Sequence, residues 1–402
     1  MTENKITITV NNNLTSTIKA GDEYTLFKRV EVTKTLDALC GSFSFTTNAN
    51  NLEAFPIKPW DNVTISVNGE TVINGYITKR ETSYDEGGHN ITFGGHDGTK
   101  DLVDSTLSEN TQYNAPITLD EVISKTVSFH GLSAFLPVET VIGTTLNFRD
   151  GDTISGDVGQ SIFEFLDKCA RKLGCILGTN QDGKIKIYRN DETETEFRKS
   201  NAVLLKNKSG ESVNNTIKSA TLKEDVNNRF SDIAVVSQGG LGGMSEMSSQ
   251  GGNTDILSGL ASDENIPRPR FKYIIADDSN DQDGLITMAE WEANKRRSDS
   301  IIYSCTTYGF SDPVGSLWNI NNIYNIDDDF AFIRASMLIK SVAYRFDESE
   351  GSTTSLEFVT ADAYTLQVNN PKIEENKIAV ENKVKESRSN WIVDFARKFG
   401  TN

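Results

Sequence analysis

Cysteine and histidine are scarce in this chain, and that scarcity removes whole classes of chemistry. The four cysteines, Cys40, Cys169, Cys175 and Cys305, form no C-x-x-C pair and have no histidines at zinc-ligand spacing. They read as reduced, mostly buried thiols; only Cys169 and Cys175 lie close enough in sequence to tempt a disulfide, and the redox setting disfavours it. Of the three histidines, His89 and His96 flank one strand at an odd separation, which puts them on opposite faces and away from a shared metal. His130, in Phe-His-Gly, reads as a helix-end cap. No stretch approaches the roughly 18 apolar residues of a membrane span. The opening MTENKITITV lacks the apolar core of a signal peptide, so the expectation is a soluble chain made in the cytoplasm with no membrane anchor. The motifs G-x-S-x-G, H-E-x-x-H and G-K-[ST] are missing, and the Gly239–Gly243 run lacks a dinucleotide-binding context. Basic charge is short as well: 40 bases against 57 acids leave a net charge of −17, which repels a nucleic-acid backbone and argues against specific nucleic-acid binding. Such a surface usually serves solubility, and it is also compatible with a wall past which DNA slides without sticking.

What the chain has in quantity is alternation. The stretch Ser316–Tyr364 reads as short strands divided by turn signals, with Ile323 and Ile326, then Met337 to Phe346, then Gly351, then Leu356 and Phe358. A similar order of features occurs near the other end, where Trp60, Val63, Ile65 and Val67 lead through Gly69 into Val72–Ile77, then Tyr84, Gly88 and Ile91–Phe93. Set side by side, Trp60 falls with Trp318, Tyr76–Ile77 with Leu338–Ile339, Tyr84 with Phe346, Gly88 with Gly351, and Ile91/Phe93 with Leu356/Phe358. Either one β-module occurs twice, or two unrelated meanders share a generic pattern.

The 402 residues suggest roughly three domains. The expected class is mainly β with an α+β insertion: a first β-barrel over 1–105, an α+β domain over 106–200, a second barrel over 201–368 and an amphipathic helical tail over 369–402. In the insertion, Thr118–Glu121 is a capping box with Gly131 as the stop, and Ile162, Leu166, Cys169 and Leu173 recur at helical spacing up to Gly174. Asn180–Gly183 predicts a hairpin turn. The second barrel section holds a Gly/Ser-rich stretch over 239–259, read as a long mobile loop, and a helix over 285–297. In the tail, Trp391, Phe395 and Phe399 form an apolar stripe that needs a surface to cover, either on this chain or on a partner.

Candidate sites are few. Ser279–Glu290 follows calcium-loop spacing, with Asp281, Asp283 and Glu290 as the possible ligands. Ser279 stands where the ion wants a carboxylate, and Phe271–Ala276 before it reads as a strand, so a helix N-terminus with favourable acids explains the same letters. Acid pairs such as Asp277–Asp278 or Asp327–Asp329 are too common here to nominate a glycosidase. No catalytic residue and no cofactor emerges, and the expectation is a protein that is not an enzyme.

Several degenerate motifs, taken in order, resemble one family. In the first part they are Val30–Leu36, Gly41-Ser-Phe43, Val63–Gly69, Gly75-Tyr-Ile77 and Asp101–Asp104. In the second they are Asn228-Arg229-Phe-Ser231, Arg268-Pro-Arg270, Ala289-Glu-Trp291 with Arg296–Arg297, Gly315-Ser-Leu-Trp318, Leu338-Ile339, and Gly351 through Leu356 to Ala363-Tyr364. Together they cover about residues 20–365. The chain resembles the central hub protein of contractile-tail baseplates, of the kind found in Mu-like phages and related to the base half of type VI secretion spike proteins. The acid-rich Asn280–Glu290 region departs from that pattern, and nothing after Pro371 resembles it. The resemblance implies a homotrimer in which each chain gives two tube-type β-barrels, so that three chains imitate the sixfold tail tube and seat a threefold central spike around a channel for DNA. Its partners would be further copies of itself, the tail tube protein, the spike and other baseplate or tape-measure proteins, in a virion tail assembled in the host cytoplasm. Gly41, Phe43, Gly75, Arg229, Arg268, Trp291, Gly315, Trp318 and Gly351 would be structural motif residues. A tail-tip host-surface adhesin or a cell-wall hydrolase is the alternative.

Overall fold

The computed structural model describes residues 4–11, 22–24, 27–48, 57–85, 88–133, 138–139, 146–148, 153–209, 215–237, 258–276 and 282–366. Asp281, most of the Gly/Ser-rich stretch, and the tail with Trp391, Phe395 and Phe399 lie outside the described residues.

The segment up to Asp97 supplies β1 (Ile6–Asn11), β2 (Asp22–Tyr24), β3 (Arg29–Thr35), β4 (Ser42–Asn48), β5 (Asn62–Val67), β6 (Glu70–Asp85) and β7 (Gly88–Asp97). Period-two patterning decides which face each strand buries: Val30 and Val32, Phe43 and Phe45, Val63 and Ile65, and Ile91 and Phe93 all point into the core. The middle section follows with α1 (Lys100–Asp104), β8 (Thr111–Asn114), α2 (Leu119–Phe129), β9 (Val138–Glu139), β10 (Thr153–Gly156), α3 (Ile162–Lys172), β11 (Ile176–Thr179), β12 (Ile185–Tyr188), β13 (Asn190–Asp191) and α4 (Glu192–Ser200). The remainder is β14 (Val203–Asn207), β15 (Ile217–Glu224), β16 (Asp232–Ser237), β17 (Ser258–Ser262), β18 (Phe271–Ala276), α5 (Gln282–Asp299), β19 (Ile301–Tyr308), β20 (Ile323–Asp328), β21 (Ile333–Asp347), β22 (Gly351–Thr360) and β23 (Thr365–Leu366).

The protein is mainly β, and thirteen strands join one sheet in the order β15-β19-β22-β21-β3-β4-β7-β6-β5-β1-β2, with β20 also on β21 and β14 on β20. Two strand orders run in step within it: β3-β4-β7-β6-β5-β1 and β15-β19-β22-β21-β20-β14. Neighbours are antiparallel in both, except that β1 lies antiparallel to β5 while β14 lies parallel to β20. Irregularities match too, since β6 is bulged between Ile77 and Lys79 and β21 between Ile339 and Ser341.

This register keeps three of the aligned pairs and corrects two. Ile77 matches Ile339, Tyr84 matches Phe346, and Gly88 matches Gly351, each pair holding the same place in its ladder. Phe93, however, matches Leu356, and Gly95 matches Phe358, a shift of two residues. Trp60 matches Asn321 and not Trp318. Trp60 N–H donates to Ile77 O at 2.7 Å and Asn321 N–H to Ile339 O at 2.9 Å, and both residues have positive φ, 77° and 67°. Trp60 is 68% exposed and stacks on Tyr76, whereas Trp318 is 1% exposed. Shared aromatic identity misled the alignment because the backbone ladder, not the ring, sets equivalence.

Among the described residues no sheet closes into a barrel. The two halves expected as barrels are instead continuous, joined where β21 pairs with β3 from Ser341 opposite Thr35 to Asp347 opposite Arg29. Ion pairs Arg29–Asp347 (2.8 Å) and Arg345–Glu31 (2.9 Å) cross that junction. A single apolar cluster runs beneath both halves, from Val32, Phe45 and Phe93 to Tyr303, Tyr344 and Phe358.

The middle section has its own core of Leu119, Val122, Ile123, Phe165, Leu166, Cys169 and Leu177. The capping box forms as its spacing predicts: Thr118 Oγ1 accepts from Glu121 N–H at 3.1 Å and the Glu121 carboxylate accepts from Thr118 N–H at 3.2 Å. α2 ends at His130 and α3 is followed by Gly174 at φ 65°. Asn180 to Gly183 makes the β11–β12 hairpin turn. α5 packs on the small sheet β17-β16-β18, at a spacing only glycine permits: a Cβ on Gly259 would sit 2.0 Å from the Leu285 carbonyl carbon. No described helix is long and apolar enough to cross a membrane.

Candidate functional site

The feature that sets this sheet apart is its polar face, opposite the core. Followed across the junction, the register lays out one row of Thr306, Ser355, Ala343, Thr33 and Ser42. A second row is Arg345, Glu31, Ser44, Gly94 and Lys79, and a third is Asp347, Arg29, Thr46, Thr92 and Glu81. A shallow cleft of about 390 Å³ follows the face, lined by hydroxyls such as Ser304, Thr306, Ser341 and Ser355 together with Glu31 and Arg345. The second and third rows hold three bases (Arg29, Lys79, Arg345) and three acids (Glu31, Glu81, Asp347), and each is paired, Lys79 with Glu81 at 2.6 Å. Hydrogen bonds from Ser349 and the Arg29 guanidinium hold the Asp347 carboxyl well below the usual carboxylate range. The chain's excess of acid is therefore not carried by these two rows.

Behind the first half of the face sits a buried carboxylate. Asp97, 1% exposed, accepts from Gly41 N–H at 2.6 Å, from Thr99 N–H at 3.1 Å and from the Thr99 hydroxyl at 2.5 Å. Burial raises its pKa in spite of those donors. The Thr99 hydroxyl also meets that of Thr179 at 2.9 Å, and Thr179 donates to Leu39 O, tying the middle section to the sheet. This explains Gly41, where a Cβ would stand 3.1 Å from the Asp97 carboxylate.

The other motif residues are dispersed through the architecture. Phe43 is buried on β4, and Gly75 lies where β6 closes on β7. Gly315 (φ 94°) turns a loop whose Val314 and Ser316 N–H groups donate to Asp312, and Gly351 (φ 78°) opens β22. Arg229 pairs with Asp263 at 2.7 Å in a mostly buried bridge, and Arg268 is exposed. Trp291 is buried on α5 under Arg171 (4.7 Å) and Lys295 (5.3 Å), and Trp318 packs on Tyr324 at 4.9 Å. The structure thus brings Gly41, Phe43 and Gly75 into the first half of the sheet and gathers no motif residues into a reaction centre. Asp283 and Glu290 both lie on α5, at ~1.5 Å per residue about 10 Å apart along its axis, and the third candidate, Asp281, lies outside the described residues. Among the described residues no group of three His, Cys, Asp or Glu could hold a metal. His89 stacks on Tyr84 while His96 faces the other side of β7.

Sequence reasoning missed a cluster beside the junction. Lys340, on β21, reaches Asp37 at 2.6 Å and Asp299 at 2.9 Å, and the Tyr364 hydroxyl donates to Asp37 at 2.5 Å. Burial acts to raise the Asp37 pKa, but Lys340 and Tyr364 outweigh it and hold the carboxyl below its ordinary value. Nothing local signals this, since its members come from four separate segments. Lys340→Met should cost about 2–3 kcal/mol in urea unfolding by leaving two carboxylates facing each other. With its pKa depressed on folding, Asp37 contributes stability that is present above the ordinary carboxylate range near pH ~4 and lost as pH falls through its folded value. The variant's deficit should accordingly shrink in acid, and a deficit that stays constant from pH 7 to pH 3 would show that the ion pairs are not its source.

The described residues thus show a repeated strand order with a hydroxyl-rich face, and the motif residues are dispersed through the architecture. Residues 16–97 match the family model described as Mu phage baseplate assembly protein GpP-like, N-terminal. The baseplate hub protein gp44 of Escherichia phage Mu is 23% identical over 362 residues, covering 88% of this chain and 90% of that protein. The 43 kDa tail protein of prophage MuSo2 from Shewanella oneidensis superposes with a TM-score of 0.68 at 22% identity, over 90% of this chain and 99% of that one. A component of the Escherichia coli type VI secretion system shares the fold with a TM-score of 0.52 at 9% identity, over 90% of this chain and 79% of that one. The resemblance read in the sequence is borne out as a similarity: the N-terminal part matches the Mu baseplate GpP-like model, the chain is similar to the Mu hub protein gp44, and it shares its fold with a Mu-like tail protein and with a protein of type VI secretion.

Proposed function

We propose that this protein is the central hub of a phage tail baseplate, a homotrimer that adapts the sixfold tail tube to a threefold spike around a channel for DNA. The observation that carries this reading is the repeated strand order within one continuous sheet. Pairing of β21 on β3 joins one half-sheet to the next edge to edge, and the same join made between chains would give a ring of six similar modules from three copies with no free edge. The polar rows would line its channel. With their charges paired, they offer a DNA backbone few free cations to hold and little field to repel it.

The two halves also differ where a threefold partner would need them to. β5 and β6 are linked by the two residues Asn68 and Gly69, whereas the β20–β21 turn carries Phe330 and Phe332, 89% and 94% exposed. A homotrimer would present that aromatic pair three times, matching the spike. The stripe Trp391, Phe395 and Phe399 is a further candidate contact for tube, spike or tape-measure proteins.

Light scattering should give three times the chain mass, and the protein should co-purify with both tube and spike proteins. Phe330→Ser with Phe332→Ser should keep tube binding and lose spike binding. A monomer at micromolar concentration would refute the hub reading.

A further inference from the structure

We propose a residue-by-residue register for the seam between copies: the outer half of β6 on one copy pairs antiparallel with β15 of the next, placing Lys79 opposite Asp225, Arg80 opposite Glu224 and Glu81 opposite Lys223. The proposal rests on the trimer reading and is read from the seam that the chain makes with itself.

The derivation uses backbone pairing alone. The matched bulges set Ile339 on Ile77, so Ser341 corresponds to Lys79 and Asp347 to Asp85. Facing partners across the next strands set Phe43 on Tyr303 and Phe45 on Cys305, because Phe43 faces Gly95 as Tyr303 faces Phe358. Val30 and Val32 then correspond to Ala220 and Leu222, and by continuation Thr33 to Lys223 and Thr35 to Asp225. Within the chain, Ser341 pairs with Thr35 and Ala343 with Thr33. Carrying those pairs over to their equivalents yields the intermolecular register stated above.

Two observations not used in that derivation support it. All three charged steps meet a residue of opposite sign, which favours cross-strand pairing on either face of a sheet. Among the described residues both edges are also open. β15 ends the large sheet, and β6 beyond Tyr76 pairs with β7 and with no other described strand. Thr78–Tyr84 and Lys218–Thr221 are exposed, as open edges should be. Tyr84, 82% exposed, would come to lie opposite Ala220, as Phe346 lies opposite Val30 within the chain. The Lys79–Glu81 pair, its side chains 70% and 60% exposed, is a surface contact of little worth that the seam would replace.

The full-length chain tests this by light scattering across a dilution series. Glu81→Lys should raise the concentration at which trimers form by about tenfold, since each trimer contains the like-charge step three times. Adding Lys223→Glu should restore assembly. As a second measure, Ser83→Cys with Thr221→Cys should give a covalent trimer under mild oxidation, whereas Thr82→Cys with Thr221→Cys should not, because a one-residue slip turns the side chain to the other face. Trimers that ignore the charge exchange and do not cross-link would overturn the register while leaving the hub reading intact. A wild-type monomer would instead remove the hub reading, and the seam with it.

Discussion

Trp318→Ala is expected to cost about 3–5 kcal/mol, seen as a lower urea midpoint and Tm. The side chain is 1% exposed, its ring packs on Tyr324 at 4.9 Å, and its carbonyl accepts from the Tyr344 hydroxyl. Truncation would open a void beside Tyr324 and Tyr344, which belong to the cluster shared by both halves of the sheet. Tyr324 in turn donates to Asp312 at 3.1 Å, and Asp312 organises the turn through Gly315, so loosening should reach that loop. Trp60→Ala serves as the control: at 68% exposure it should cost under about 1 kcal/mol. Equal losses at the two tryptophans would contradict the register assigned here.

Gly75→Ala should be as damaging for a different reason, costing about 3 kcal/mol or more. A Cβ there would sit 1.9 Å from His96 O and 2.6 Å from Asp97 Cα, backbone atoms that cannot rotate away. The strands β6 and β7 would have to separate next to Asp97, so the hydrogen bonds from Gly41 and Thr99 should be lost with them. Hydrogen exchange should show β6, β7 and the β4 start losing protection together. Gly69→Ala, with nothing within 4 Å but a φ of 86°, should cost only about 1 kcal/mol. If Gly75→Ala proved as mild, the close approach of the two strands would be wrong.

Much of the local structure was legible in the letters. The alternation of Phe43 and Phe45, the Thr118–Glu121 capping box, the spacing of Ile162 to Leu173 and the Asn180–Gly183 turn each depend on neighbours a few residues away. α4 escaped because Glu192–Ser200 is mostly charged and its one large apolar residue, Phe197, is 68% exposed, leaving no apolar stripe to detect. The equivalence of the halves was partly legible. Gly88 and Gly351 stood out correctly, while the conspicuous tryptophans pointed three residues off.

By itself the sequence determined which face strands such as β3, β4, β5 and β7 bury, where α2 and α3 start and stop, and the order of features by which the chain resembles baseplate hubs. Those depend on side-chain identity at short range. Tertiary structure alone decided that β21 lies against β3, with partners such as Asp347 and Arg29 more than 300 residues apart. Backbone donors and acceptors are the same at every residue, so no local pattern selects one distant ladder over another. The choice falls to packing of the shared core and to the charges that meet across the edge.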